Sequence, residues 1–562
     1  MEEFSKLCCL IVKDVYGDFL AQVFQQLTQL GRLSATQVAQ KCRLPLRQVK
    51  TGLATLIQLR LVYHHTTPEG LSTYQANTHN AYNLMRTGKL AALAHRNHGK
   101  PAAFVIEHLA TLGFSTAEEL ENTVCAEKSF TAQGDATPHH NGHPGGHRLP
   151  IVESSRNRFR NVLRVLIDRK YIVAVRDAHF QSVFDARRDL ERHLESLGLL
   201  PSTKLGKKSQ ADIDEKVDIE LEQRLDPTLA AATALKELES SHSKTDTVKT
   251  LLCVDYSNVV ASVRNERIAS IAEKTFGKSF GHITKAACSQ IELGSSPFRV
   301  RDPDPNTSMQ RLDVSLIDAR PSDLPNGTHP NDPEDGFLSN GGHPNGYHRP
   351  RLNGTKHDPA VDHQLAILAD GPFRFLRGDT NGSWLVDKKQ LGDYVLEKEL
   401  MRLISERVDG PALRIIRMLV DKGKLDEKTL QELGLLGAKD LRQCLSQLQL
   451  MGYLELQEVP RDPQRQPNRT IFLWFYDAER VRKVFLSKIY KTMSRHYQRM
   501  HLERERLAST LSKVERTDVE GNVQDLLPEA ELDLLYVWQQ KEGWFLTELD
   551  RMDDSVAILR DL

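Results

Sequence analysis

The chain has 562 residues, 40% of them apolar, and its 75 Lys and Arg are matched by 75 Asp and Glu. That length allows about three to five domains, and the charge balance excludes a global field that would draw the molecule onto nucleic acid or an anionic membrane. Seven cysteines without a C-x-x-C pair read as thiols of a reducing compartment, not as disulfides or a zinc site. The apolar run Leu7–Val12 is too short for a signal peptide or a membrane span, so an intracellular, soluble protein without membrane partners is expected.

In chain order, Val15, Phe19, Val23 and Leu27 recur every four residues and predict an amphipathic helix over Asp14–Leu30. Ser34 caps the next helix, and Pro45 opens a third that runs to about Arg60. Leu61–Thr66 and Leu71–Ala76, joined through Pro68-Glu69-Gly70, predict a hairpin, and Thr78–Leu93 a linking helix, so residues 1–95 form a first unit. A second unit, 96–185, has a helix opened by Pro101 with Val105, Ile106 and Leu109, a helix over 152–169 and a strand Tyr171–Arg176. A Gly/His/Pro-rich insert at about 125–150 interrupts it and has no means of burying a core. Residues 186–248 are charged and helical and read as a linker. A third unit, 249–400, starts with the strand Leu251–Val254 and a helix Ser257–Phe276, with a second helix near His282–Glu292. A Pro/Asn/Gly/Asp/His-rich insert at about 295–360 follows, disordered by composition, and order returns at Leu365–Leu368 with strands Phe373–Arg377 and Ser383–Val386.

Residues 401–476 show the pattern most clearly. Pro411 opens a helix bearing Leu413, Ile416 and Val420; Asp426 caps a second with Leu430 and Leu433; Gly434 closes the turn. A third helix carries Leu441, Leu445 and Leu448, Gly452 releases the chain, and a wing ends in Ile471-Phe472-Leu473-Trp474-Phe475. The segment recurs: Leu33–Val38 matches Leu425–Leu430, while Leu53, Leu56, Leu61 and Val62 match Leu445, Leu448, Tyr453 and Leu454 at the same 20-residue separation. A further copy begins at Phe114-Ser115-Thr116 and resumes at Leu163, Leu166, Tyr171 and Ile172. Three helices followed by two strands make a winged helix.

Residues 477–562 carry two heptad seams. One runs Leu486, Tyr490, Met493, Tyr497, Met500, Leu507 and Leu511, and the other, past Gly521 and Pro528, runs Leu535, Trp538, Phe545, Leu549 and Met552. Residues 480–506 hold nine Lys and Arg against two Glu, whereas 520–562 hold eleven Asp and Glu against three Lys and Arg. Opposed charge favours pairing of the two helices with each other. The expected fold is mainly α with small β wings: four tandem extended winged-helix domains followed by an antiparallel coiled-coil hairpin.

Catalysis finds little support. Phe276-Gly277-Lys278-Ser279 is like the end of a phosphate-binding loop, but Ala272 stands where the first glycine is required. His139, His140, His143 and His147 sit at metal-ligand spacing inside a polar insert that would have to be ordered first, and no cofactor is expected. Nucleic-acid contact is the serious option. Arg156, Arg158 and Arg160, with Arg164, Arg169 and Lys170, surround the third helix of the second unit, although only part of this set can share one helical face. A solvated or partner-facing surface is the equal alternative. The fourth unit offers Lys439 and Arg442, with Arg461, Arg465 and Arg469 in its wing, while Arg47 and Lys50 of the first unit are unremarkable. Such cations would meet phosphates and bind without sequence preference.

The stretch SKLCCLIVKDVYGDFLAQVFQQLTQLGRLSATQVAQ near the N-terminus and DGPALRIIRMLVDKGKLDEKTLQELGLL in the last winged helix resemble one family: the largest subunit of the RNA polymerase III initiation heterotrimer. The resemblance covers nearly the whole chain apart from the two inserts, whose His/Asn/Pro-rich form is that of a filamentous-fungal member. More distantly the winged helices resemble those of factor TFIIE. The resemblance implies a non-catalytic nuclear subunit, bound to the polymerase clamp of the largest subunit beside two smaller heterotrimer partners. It further implies recruitment through transcription factor IIIB and help in opening promoter DNA at genes for tRNA and other small RNAs. The composition and repeat pattern leave open a free-standing winged-helix regulator that binds duplex DNA.

Overall fold

The computed structural model describes residues 2–127, 151–198, 207–226, 234, 250–291, 309–317, 359–379, 383–460, 470–516 and 526–562. The histidine cluster at 139–147, Arg461, Arg465 and Arg469, and most of both expected inserts lie outside them. One compact unit comprises residues 1–260 and 396–562, and a second comprises 261–294 and 303–395.

The chain opens with two helices where one was expected: α1 (Glu2–Tyr16) and α2 (Asp18–Leu30). Gly17 stands between them at φ 84, a conformation that a glycine adopts freely and a helix cannot contain. The apolar stripe is shifted accordingly. Val15 is 52% exposed and Phe19 40%, while Leu7, Cys8, Ile11 and Val12 of α1 are buried. A capping box opens α3 (Ala35–Cys42), in which Ser34 accepts from the Gln37 amide and Gln37 accepts from the Ser34 amide. Next come α4 (Leu46–Gln58) and the antiparallel strands β1 (Val62–Thr66) and β2 (Ser72–Ala76), with Leu33 bridged to Tyr74 beside β2. Two further helices, α5 (Thr78–Asn83) and α6 (Thr87–His98), complete this first module.

In the second module α7 (Lys100–Leu112) leads to β3 (Ser115–Thr116) and α8 (Ala117–Ala126), opened by a Thr116/Glu119 capping box. The third helix is α9 (Ile151–Asp168), followed by β4 (Ile172–Val175). Helices α10 (Val183–Ser196) and α11 (Lys207–Leu225) come next, and then β5 (Leu251–Val254), the middle strand of a sheet ordered β3-β5-β4. This corrects the domain boundary. Leu251–Val254 does not start the third unit; it completes the wing of the second, so the charged helical stretch is an insertion between two wing strands.

Helices α12 (Ser257–Phe276) and α13 (Lys278–Ser289) precede the third sheet, built from β6 (Met309–Leu312), β7 (Leu376–Gly378) and β8 (Trp384–Asp387) with α14 (Pro359–Asp370) before β7. Its order, β6-β8-β7, repeats that of the second module. Strand β6 lies inside the stretch that composition marked as disordered. Met309 and Leu312 give this segment the apolar positions that its Pro/Asn/Gly-rich flanks lack. Within this compact unit Phe373 packs against Phe276, Phe375 and Tyr394.

Helix α15 (Lys388–Ser405) runs through the expected boundary at residue 400. The fourth module contains α16 (Gly410–Lys422), α17 (Glu427–Gly434), α18 (Ala438–Met451), β9 (Leu454–Pro460) and β10 (Thr470–Tyr476), with Leu425 bridged to Trp474. Asp426 occupies the cap position of α17 but its side chain makes no capping bond, and Leu435, not Gly434, takes the left-handed turn position. The buried face of α16 is Ala412, Ile415, Ile416 and Leu419; Val420 and Leu433 are exposed. Backbone detail supports the recurrence more strongly than leucine spacing does. Arg43 and Leu435 are left-handed at equivalent places after the second helix, and Arg60, Lys170 and Gly452 are left-handed just before the first wing strand.

The chain ends in α19 (Ala478–Arg506), α20 (Ala508–Val514) and α21 (Glu529–Asp561). Contacts run in opposite order along the two sides: Lys513 to Glu531, Arg504 to Glu542, His496 to Phe545. Helix α1 also lies on α19, with Phe4 and Tyr490 ring centroids 4.9 Å apart. One hydrophobic core therefore runs from Leu7 and Ile11 through Leu445 and Tyr453 to Phe485, Met493, Trp538 and Val556.

A buried ionic cluster closes this arrangement. Arg86 and Asp553 are each 1% exposed at the side chain; Arg86 Nε donates to Asp553 Oδ1 at 2.8 Å and Nη1 to Asp561 Oδ2 at 2.7 Å. The Tyr82 hydroxyl donates to Asp553 at 2.8 Å, and Lys89 Nζ reaches Asp553 and Asp554 at 3.0 and 2.8 Å. Burial alone would raise both carboxyls. The cations prevail: Arg86 and Lys89, with the Tyr82 hydroxyl, hold Asp553 below the ordinary carboxylate value, and Arg560 and Arg86 do so for Asp561.

Asp553→Ala should lower stability by about 3–5 kcal/mol in urea unfolding, because it takes the buried acceptor from Arg86 Nε, the Tyr82 hydroxyl and Lys89 at once. A carboxyl depressed in the folded chain stabilises it above its unfolded value, roughly pH 3.9, and that stability is lost as pH falls through the folded value. The difference between parent and Asp553→Ala should therefore shrink as pH falls through and below about 3.9, checked by unfolding midpoints across pH. Gly113, at φ 81, would place a Cβ 2.2 Å from the Gln58 carbonyl oxygen. Gly113→Ala should thus destabilise by roughly 2–4 kcal/mol, seen as a lower thermal midpoint.

Candidate nucleic-acid interface

The third helices of the first, second and fourth modules, α4, α9 and α18, each bury one stripe and offer the other to solvent. On α9 the buried stripe is Phe159, Leu163, Leu166 and Ile167, which sets where each arginine falls. Arg156, Arg160 and Arg164 follow one another at four-residue steps along one edge, and Arg158 lies on the opposite flank. Arg156 is exposed and Arg158 half-buried. Arg160 is engaged internally: its Nε lies 2.9 Å from Oε1 of Glu121, a carboxylate only 7% exposed on α8. On α18 Lys439 is exposed, and Arg442, though 71% exposed, donates to Glu427 Oε1 at 2.5 Å. Among the candidate contacts, Arg156 and Lys439 are exposed, Arg158 is half-buried, Arg160 and Arg442 are ion-paired within the fold, and Arg465 and Arg469 lie outside the described residues.

The seam positions fall at the centre of the closing core. Tyr490, Met493, Tyr497, Met500, Trp538, Phe545 and Leu549 are buried, and Leu486, Leu507, Leu511, Leu535 and Met552 are half-buried. On α19 much of that burial is against α1 as well as α21. The outer side of α21 shows Leu534, Tyr536, Val537, Trp544 and Leu546, each about half or more exposed.

Among the described residues no group of three or more His, Cys, Asp or Glu is placed to hold a metal, and no helix is long and apolar enough to cross a membrane. All seven cysteines are free thiols. Burial pushes Cys8 and Cys253 up and Cys288 to about 11, the reverse of nucleophile activation. Burial likewise lowers His179 to about 4, so it stays neutral while Nδ1 accepts from the Arg176 amide.

Sequence reasoning passed over the Arg86–Asp553–Asp561 cluster. A signal existed in Asp561, which stands in the last turn of a helix, where the macrodipole disfavours a carboxylate unless cations answer it.

Repeated helix–helix–helix–wing modules define a winged-helix protein, and family models agree. Residues 6–67 match the RNA polymerase III subunit RPC82 helix-turn-helix domain, residues 161–395 match RNA polymerase III subunit RPC82, and residues 400–476 match the POLR3C C-terminal winged-helix domain. The DNA-directed RNA polymerase III subunit rpc3 of Aspergillus terreus is 32% identical over 99% of this chain and 99% of its own length. That of Aspergillus oryzae is also 32% identical, and subunit RPC-3 of Coccidioides immitis is 30% identical, with the same coverage of both chains. The chain belongs to this family of RNA polymerase III subunits, which are non-catalytic components of the polymerase and associate with its other subunits.

Arg160→Ala should cost about 1–3 kcal/mol in unfolding free energy because Glu121 keeps its burial and loses its partner. Arg156→Ala, at an exposed site, should stay within about 0.5 kcal/mol of the parent.

Proposed function

We propose that this subunit acts in the nucleus, in promoter recruitment and DNA opening by RNA polymerase III at genes for tRNA and other small RNAs. On this reading the four modules are tandem winged helices, chiefly protein-docking units, with DNA touched locally by the second and fourth through Arg156, Arg158 and Lys439. The two long helices are a coiled-coil hairpin that anchors the subunit on the clamp, beside two smaller heterotrimer partners and within reach of transcription factor IIIB. The observation that carries the reading is the closed core, which ties the first and fourth modules to the terminal helices and leaves α4, α9 and α18 with polar outward faces. A neutral chain built in this way is suited to scaffolding more than to independent DNA search. Exposed Tyr536 and Trp544 on α21 supply aromatic anchors of the kind that dominate protein interfaces.

Affinity purification of the tagged full chain, with mass identification of what accompanies it, tests this. Polymerase III subunits, two small ones among them, are expected; their absence would refute the reading. Polymerase depleted of the subunit should still transcribe a template with a single-stranded tail but fail on a closed promoter. Equal activity on both templates would remove the proposed role in opening.

A further inference from the structure

Residues 19–106 contain ten Lys and Arg and a single carboxylate, Glu69, within a chain whose charges balance overall. Several of these cations are engaged inside the molecule. Arg32 holds Asp185, Arg60 donates to the Cys253 sulfur, and Arg86 and Lys89 hold the aspartates of α21. Lys41, Arg43, Arg47 and Lys50 are different. All four are exposed, and none forms an ion pair with a described residue. They fall together on the end of α3, the turn and the first two turns of α4.

The fourth module provides an internal comparison. Arg43 and Leu435 share the left-handed turn conformation, at φ 56 and 52, which fixes the register between the two copies. In that register Arg47 corresponds to Lys439 and Lys50 to Arg442, so both copies carry the same two cations. The fourth module also supplies carboxylates: Glu427, which binds Arg442, with Asp440 and Glu432 nearby in sequence. The first module has Ala35, Gln48 and Gln40 at those places. The three carboxylates of the fourth module thus have no counterpart here, and among the described residues Lys41, Arg43, Arg47 and Lys50 face solvent without an ion-pair partner. The start of α4 is likewise without a side-chain cap, because Pro45 stands at the cap position. First-turn amides with no side-chain acceptor add to the attraction for anions.

We propose that this α3–α4 face, carried by Lys41, Arg43, Arg47 and Lys50, binds the phosphodiester backbone of DNA without regard to sequence. This goes beyond contacts at the second and fourth modules and rests on the reading of the chain as a subunit that works at DNA. A nucleic acid is favoured over an acidic protein because the cations flank the N-terminal half of the third helix, the part that this fold lays into a groove between two phosphate rows. The Thr51 hydroxyl is turned back onto the Arg47 carbonyl, and the four cations meet phosphates, which carry charge and no sequence.

The test is fluorescence anisotropy with the purified full chain and a labelled mixed-sequence oligonucleotide, single-stranded in one arm and duplex in the other, between roughly 50 and 200 mM salt. Replacing all four residues by alanine should reduce the slope of log affinity against log salt by about 2–4 and weaken binding on the order of 10- to 100-fold at the lowest salt. Lys↔Arg exchanges at the same positions should retain the slope. Lys439→Ala with Arg442→Ala should change it by less than about 1. The more affected strand form identifies the source of the phosphates. An unchanged slope in both arms, with native circular dichroism, overturns the proposal. So does loss of binding to polyglutamate with DNA binding intact, which would assign the face to an acidic protein. Should the fourfold variant unfold, Arg47→Ala with Lys50→Ala decides in the same way, with an expected slope change of about 1–2. Copurification of polymerase subunits, followed on the same variants, should be unchanged, which separates failure of this proposal from failure of the subunit assignment.

Discussion

Asp553 holds the two ends of the chain together. Its buried carboxylate receives Arg86 Nε, the Tyr82 hydroxyl and Lys89 Nζ, all from the stretch just after the first wing. A carboxylate withdrawn from water is tolerated only where its acceptor sites are filled, and here three donors fill them. Such a cluster adds little net stability over an apolar core of equal volume. It fixes which faces meet, because α21 slid by one turn along the first module would leave both charges stranded. The apolar seam supplies the cohesion and the ionic cluster supplies the register.

The rest of the larger compact unit follows from that closure. Helix α1 lies along α19 and turns the two terminal helices into part of a wider core that takes in the first and fourth modules. The second module is attached by the apolar packing of Leu90 and Ala94 of α6 with Val105, Ile106 and Leu109 of α7, and by polar contacts as well. Gln58 Nε2 donates to the Leu112 and Phe114 carbonyls, across the point where Gly113 admits the backbone of Gln58 and Leu59. The insertion between its wing strands reaches back to the first module through Arg32–Asp185 and His65–Asp189. A stretch that reads as a linker thus works as a clasp.

What could be read in the sequence was what is local. Ser34 with Gln37, and Pro411 at the start of α16, announce helix starts within four residues, and the structure has them there. The short wing strands of the first module were legible because a turn of Pro and Gly lies between alternating residues. What was missed depends on partners far along the chain. The stripe of α1 serves a helix almost five hundred residues away, so Leu7–Val12 read only as an apolar run too short for a signal peptide or a membrane span. Leu251–Val254 pairs with Ser115–Thr116 and Ile172–Val175, and no periodicity within the strand indicates that choice. At the candidate interface, partners across the fold were invisible for the same reason. Arg160 looks like any surface arginine until Glu121 is found beside it, and Asp426 has the right residue type at a cap position without making the bond.

The most direct measurement is native-state hydrogen exchange across the full chain at neutral pH. If the two ends form one cooperative core, amides in the middle of α1, in α19 around Met493 and in α21 around Asp553 should share one opening free energy and lose protection together as denaturant rises. Exchange of α1 at the rate of a fraying terminus, with α19 and α21 still protected, would contradict a common core.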